Sequence, residues 1–141
     1  MENMFWTDQK LERRISELEL YRHRDLRVIP SLDMAEEVTS EITNPEIPAF
    51  APDCSMKIGD RWSGRDRYLW LAAEVTIPQE WTGKRVLGLF DFGRTGPGNT
   101  NGFESMCYLN GKPYQGVDSN HKEVFFSEEY CGKSVSLVFR L

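Results

Sequence analysis

Cysteine, histidine and long apolar runs are all scarce in this 141-residue chain. Cys54, Cys107 and Cys131 are odd in number and widely spaced, which fits neither a disulfide framework nor a paired-thiol zinc knuckle and points to a reducing compartment. With His23 and His121 as its only imidazoles, the chain lacks the usual nitrogen and sulfur ligand set of a zinc site. No stretch approaches the ~20 apolar residues that cross a bilayer. The first residues carry neither a basic region nor an apolar run of signal-peptide length. The expectation is a cytoplasmic protein that binds no membrane. Basic residues are the minority as well: 17 Lys and Arg against 22 Asp and Glu give a net charge of -5, the wrong sign for a nucleic-acid footprint. Arg61, Arg65 and Arg67 are the local exception, but Asp60 and Asp66 interrupt them, so they read as a self-compensating charged edge.

What is present is the material of one globular domain, 40% hydrophobic and 28% charged. A chain of this size removes roughly 65–70% of its unfolded surface from water, enough for a core without metal or disulfide staples. Residues 7–26 read as an amphipathic helix, with Thr7 as N-cap and Leu11, Ile15, Leu18 and Tyr21 forming a single apolar stripe opposite a charged face. So narrow a stripe has to dock on something, either this chain's own sheet or a neighbouring domain. Pro30, Pro45, Pro48 and Pro52 then mark 30–53 as an irregular connector, with at most a short helix over 32–38. From Tyr68 the period changes to two: Leu69, Leu71, Ala73, Val75 and Ile77 share one face, and Pro78 ends the strand. Further strands are expected over 86–92, 103–109, 112–117, 123–126 and 134–141, with Asn110 and Gly111 as a tight hairpin turn. This order predicts a mainly β protein, an antiparallel jelly-roll β-sandwich over 54–141 preceded by a helical arm and connector over 1–53. The last strand still alternates at Leu141, which suggests the N-terminal piece of a longer protein.

No catalytic residue is nominated. A serine or cysteine nucleophile needs a base within reach, and neither a nucleophile elbow nor a flanked cysteine occurs. Cys107 sits inside a strand as a small core hydrophobe. Gly93, Gly96 and Gly98 lie between two strands, with no helix N-terminus to cradle a phosphate. The remaining candidates are surface chemistry. Trp62, Tyr68, Trp70 and Trp81 are rings of the kind that stack on sugars, and Asp118 and His121 flank a polar loop with Ser119 and Asn120. The competing readings are that the tryptophans anchor the core and that His121 bonds its own loop backbone.

Several of these residues carry a resemblance. The strand from Trp70 to Pro78, the following Glu80, Trp81, Gly83 and Lys84, and the hairpin with Tyr108, Asn110, Gly111 and Gly116 resemble the galactose-binding-like jelly rolls that precede catalytic domains in many glycoside hydrolases. With the loop Asp118, Ser119, Asn120, His121 and the helix end Tyr21, Arg22, His23, Arg24, the chain is similar to the N-terminal domain of zinc-dependent α-mannosidases of glycoside hydrolase family thirty-eight, its cytosolic and bacterial branch most of all. The resemblance implies a parent enzyme that hydrolyses terminal α-mannosides, with zinc and an aspartate nucleophile on a separate catalytic domain. It implies no catalytic, metal or cofactor residue in this piece. The implied partner is that catalytic domain. Two other roles stay open: a carbohydrate-binding module contacting mannose-containing glycans through Trp62, Tyr68, Asp118 and His121, and an oligomerisation element working through helix 7–26.

Overall fold

A computed structural model describes residues 5–37, 45–64, 67–94 and 102–141. Arg65 and Asp66 of the charged edge, Val38 of the connector, and Gly96 and Gly98 of the glycine-rich loop lie outside the described residues. Among the described residues one α-helix, α1 (Phe5–Glu19), precedes eight strands: β1 (Ser31–Glu37), β2 (Ser55–Lys57), β3 (Tyr68–Thr76), β4 (Val86–Leu89), β5 (Ser105–Leu109), β6 (Lys112–Val117), β7 (Glu123–Phe126) and β8 (Ser134–Arg140). They form a six-stranded sheet of order β2-β1-β3-β8-β5-β6 and a two-stranded sheet of β4 and β7. Every strand pairing is antiparallel.

The alternation in β3 does what its period demands. Leu69 and Leu71 turn to the space between the sheets, where they meet Val86, Phe90, Val117, Val124, Val135, Leu137 and Phe139. Phe139 is the centre of that layer, fully buried, with the Phe90 ring centroid 4.4 Å away and that of Phe92 at 5.1 Å. Trp70, one residue out of phase, turns to the other face of the six-stranded sheet. There it packs with Tyr108 and Val138 beneath Ile47 and Phe50. The central strands are therefore covered on both sides, and fully burying a side chain of this size stabilises by roughly 1.5–3 kcal/mol.

The turns follow local chemistry. Asn110 and Gly111 have φ of 50° and 78°, the two positive angles that a two-residue hairpin between β5 and β6 requires. Pro113 has no amide hydrogen to donate and lies on β6, an edge strand, where that loss is tolerated. The register slips beside it: Tyr108 faces Pro113 while Cys107 faces Gln115, leaving Tyr114 as the extra residue of a bulge. The bulge re-aims that side chain. Tyr114 donates its hydroxyl to the Phe125 carbonyl of β7 at 2.7 Å, and Gln115 donates from Nε2 to the Glu123 carbonyl at 2.8 Å. One flank of the sandwich is thus stitched shut from sheet to sheet.

Three expectations need correction. The segment 30–53 is not irregular throughout, and where a helix is expected over 32–38 the described residues form a strand: β1 lies inside the six-stranded sheet, between β2 and β3. The prolines bracket this strand rather than interrupt it, and Leu32 and Met34 reach the core on alternate positions while the acidic residues between them hide the pattern. The sheet therefore draws strands from both sides of position 53. Second, α1 stops at Glu19, well short of residue 26, and Thr7 is inside it instead of capping it. Amides of Tyr21 and Arg22 bond back three residues to Leu18 and Glu19, which tightens and ends the helix. Beyond it, ion pairs from Arg22 to Glu123 (2.6 Å), Lys84 to Asp25 (2.8 Å) and Arg27 to Glu80 (3.1 Å) lay the chain along the body. Third, the strand expected over 86–92 ends at Leu89. Asp91 accepts the Gly93 amide at 2.9 Å and Lys122 at 2.6 Å, and Gly93 takes a φ of 79°, which bends the chain away.

Candidate functional site

The register gathers the nominated residues at one end of the sandwich. Tyr68 pairs with Glu37, Leu141 exchanges hydrogen bonds with Leu69, and Ser105 pairs with Val117, so the start of β3 and the loop after β6 share that end. Arg94 bridges Gly102 there as well, and a side chain at Gly102 would strike Ser119.

Proximity does not make them a single platform. Glu36 and Glu37 are consecutive strand residues and point to opposite faces of the sheet. Trp62 belongs to the first: its Nε1 donates to Glu36 at 2.7 Å, its ring sits 6.2 Å from that of Phe103, and it packs on the layer between the sheets. Arg67 holds the other Glu36 oxygen at 3.2 Å. Tyr68 belongs to the second. The Arg140 guanidinium stacks 3.7 Å from its ring centroid and 5.5 Å from that of Trp70. Glu37 accepts from Trp70 Nε1 at 2.6 Å and lies 3.5 Å from Arg140 Nε. Trp62 and Tyr68 are therefore separated by the sheet itself. Trp70 is fully buried, and Trp81, on a 3-10 turn over Gln79–Trp81, is a half-buried plug against the core.

The Asp118 loop closes on itself. One carboxylate oxygen of Asp118 accepts the amides of Asn120 (2.7 Å) and His121 (2.8 Å), and the His121 Nδ1 lies 3.1 Å from both oxygens. An ionised carboxylate can only accept, so Nδ1 carries the hydrogen in this contact. The His121 contact and then the two amides hold the Asp118 carboxyl below the usual carboxylate range. Chemically this is a self-satisfied turn whose imidazole is exposed.

Sequence reasoning missed Glu36, Glu37 and Arg140, the groups that hold the rings in place. The available signal was a pair of adjacent glutamates closing an alternating run, on a segment already set aside as connector. The zinc that the resemblance assigns to the parent enzyme has no donor set here: among the described residues no three His, Cys, Asp or Glu side chains come together. Burial pushes the Cys107 thiol up to about 12, far from the thiolate a nucleophile needs. Cys54 and Cys131 are free thiols as well. No helix among the described residues is long and apolar enough to cross a membrane.

Residues 32–139 match the family model described as α-mannosidase, jelly roll domain. The chain belongs to that family. The match begins at β1 and ends within β8, so the α-mannosidase jelly roll takes in both sheets and leaves α1 outside it. No curated protein sequence matches the chain.

Proposed function

We propose that this chain is the accessory β-sandwich of an α-mannosidase, packing on and positioning the zinc-dependent catalytic domain of an enzyme that removes terminal α-mannosides in glycan breakdown. The observation that carries the reading is the jelly-roll match over well over half of the chain. Side-chain chemistry supports it, because Trp62, Trp70, Arg140 and Asp118 are each engaged with partners inside the chain rather than aimed at a common substrate. The free thiols support a reducing, cytoplasmic setting. The test is complementation. The parent's catalytic region, expressed without this domain, loses thermal stability and aryl α-mannoside hydrolysis, and regains both on mixing with the 141-residue chain. Full activity without it would overturn the reading, and so would zinc-dependent nitrophenol release by the purified chain alone.

The exposed stripe of α1 supports a second role, docking of the helix on a partner chain. Sedimentation with and without residues 1–30 tests it, and two monomeric species would remove its basis.

A further inference from the structure

The two edges of the small sheet differ. On β7, the Glu123 and Phe125 carbonyls that face away from β4 are taken by Gln115 and Tyr114. On β4, the Phe90 amide just beyond the strand bonds the Lys122 carbonyl, so by alternation the Gly88 amide faces β7 while those of Leu87 and Leu89 face outward. Among the described residues no strand pairs with that outward edge.

The edge borders an open cleft of about 1570 Å³ whose other walls include the segments 22–32 and 56–64, above the ~300–1,000 Å³ typical of small-molecule sites and suited to a length of polymer. Leu69 and Leu71 line it, and its rim carries the exposed apolar side chains Leu26, Val28, Ile58 and Leu89. Its charge opposes that of the whole: among the described lining residues are eight Lys and Arg against four Asp and Glu, in a chain of net charge -5, with Arg22, Arg27 and Lys84 already engaged by Glu123, Glu80 and Asp25. Arg85, over the Phe125 ring at 4.7 Å, stands at the entrance to β4.

The geometry points to a docking slot for an extended acidic polypeptide segment, which adds as a third strand along β4. Main-chain bonds to Leu87 and Leu89 supply registry, alternate apolar side chains enter the cavity, and carboxylates between them meet the cationic rim. An unpaired strand edge beside exposed leucine is a liability unless something covers it. The inference is independent of the accessory role proposed above.

Fluorescence anisotropy with a labelled, end-blocked peptide alternating glutamate and valine, beside its lysine counterpart, tests the slot on the 141-residue chain. The acidic peptide binds saturably and slows amide exchange at Leu87 and Leu89, and the lysine peptide does not. Leu87→Pro, which removes one outward donor and spares the bonds to β7, weakens binding by about tenfold, as expected for the loss of one hydrogen bond in a desolvated strand. Arg85→Glu, a surface change that leaves the fold intact, weakens the acidic peptide and favours the basic one, so the proposal stays exposed if the proline variant fails to fold. No saturation, equal binding of the two peptides, or insensitivity to Arg85→Glu would overturn it. Self-association of the chain through this edge would also overturn it, since a second copy would then be the occupant.

Discussion

Strand β3 and helix α1 carry comparable apolar stripes, and only one of them is used. Leu69, Leu71 and Ile77 are almost completely buried, whereas Leu11, Ile15 and Leu18 remain 55%, 57% and 67% exposed, with Trp6 at 61%. The period of each stripe predicts its element correctly. Whether a stripe is buried depends on a partner surface: β3 has sheet neighbours on both sides and covered faces above and below, while α1 makes no substantial contact with a strand among the described residues. The stripe of β3 is thus satisfied within the chain, whereas that of α1 stays exposed.

The comparison sharpens first at Phe139. Phe139→Ala empties the centre of the layer between the sheets and should cost about 3–5 kcal/mol, read as a lowered urea midpoint with unchanged slope. A cost below 1 kcal/mol would show that the core is less tightly packed than its ring contacts indicate. On the outer face, Glu37→Gln leaves the nearly buried Arg140 guanidinium without its carboxylate and should cost about 1–3 kcal/mol. A neutral result would assign that face to the Tyr68 and Trp70 rings alone.

The Asp118 loop is a smaller feature with a definite sign. Its carboxyl is held below the usual carboxylate range by the His121 contact and then the two amides, so the contribution of these bonds is present at neutral pH and is lost as pH falls through the lowered value. Carboxyl titration followed by NMR should give a midpoint below that of an unstructured aspartate, with the Asn120 and His121 amides shifting in step. A midpoint at or above that of an unstructured aspartate would contradict the closed turn. The smallest effect belongs to the arm: Ile15→Gln should change the stability of the chain by less than ~0.5 kcal/mol in a denaturation curve.

Much of the sandwich is legible in the residues. The alternation of 68–77, the Asn110 and Gly111 turn and the inward set Val135, Leu137 and Phe139 are local patterns, and the structure places each as its pattern demands. Strand β1 is not legible, because two glutamates and an aspartate interleave its apolar residues and prolines flank it; its identity as a strand comes from β2 and β3 on either side. The ring-bearing end is harder still. Trp62 and Trp70 find their acceptors 26 and 33 residues earlier, and their separation by the sheet rests on the parity of Glu36 and Glu37 within a strand that sequence does not reveal. Tyr114 likewise owes its aim to a bulge, a register slip that residue type alone does not announce.

Amide hydrogen exchange on the dilute 141-residue chain tests the contrast between the satisfied stripe of β3 and the exposed stripe of α1 most directly. Amides that pair β3 with β8, such as those around Leu71 and Phe139, should be the slowest, exchanging only with global unfolding, while those of α1 exchange within the dead time of a helix without tertiary support. Protection of α1 equal to that of β3 would contradict the account, because the helix would then be part of the folded body.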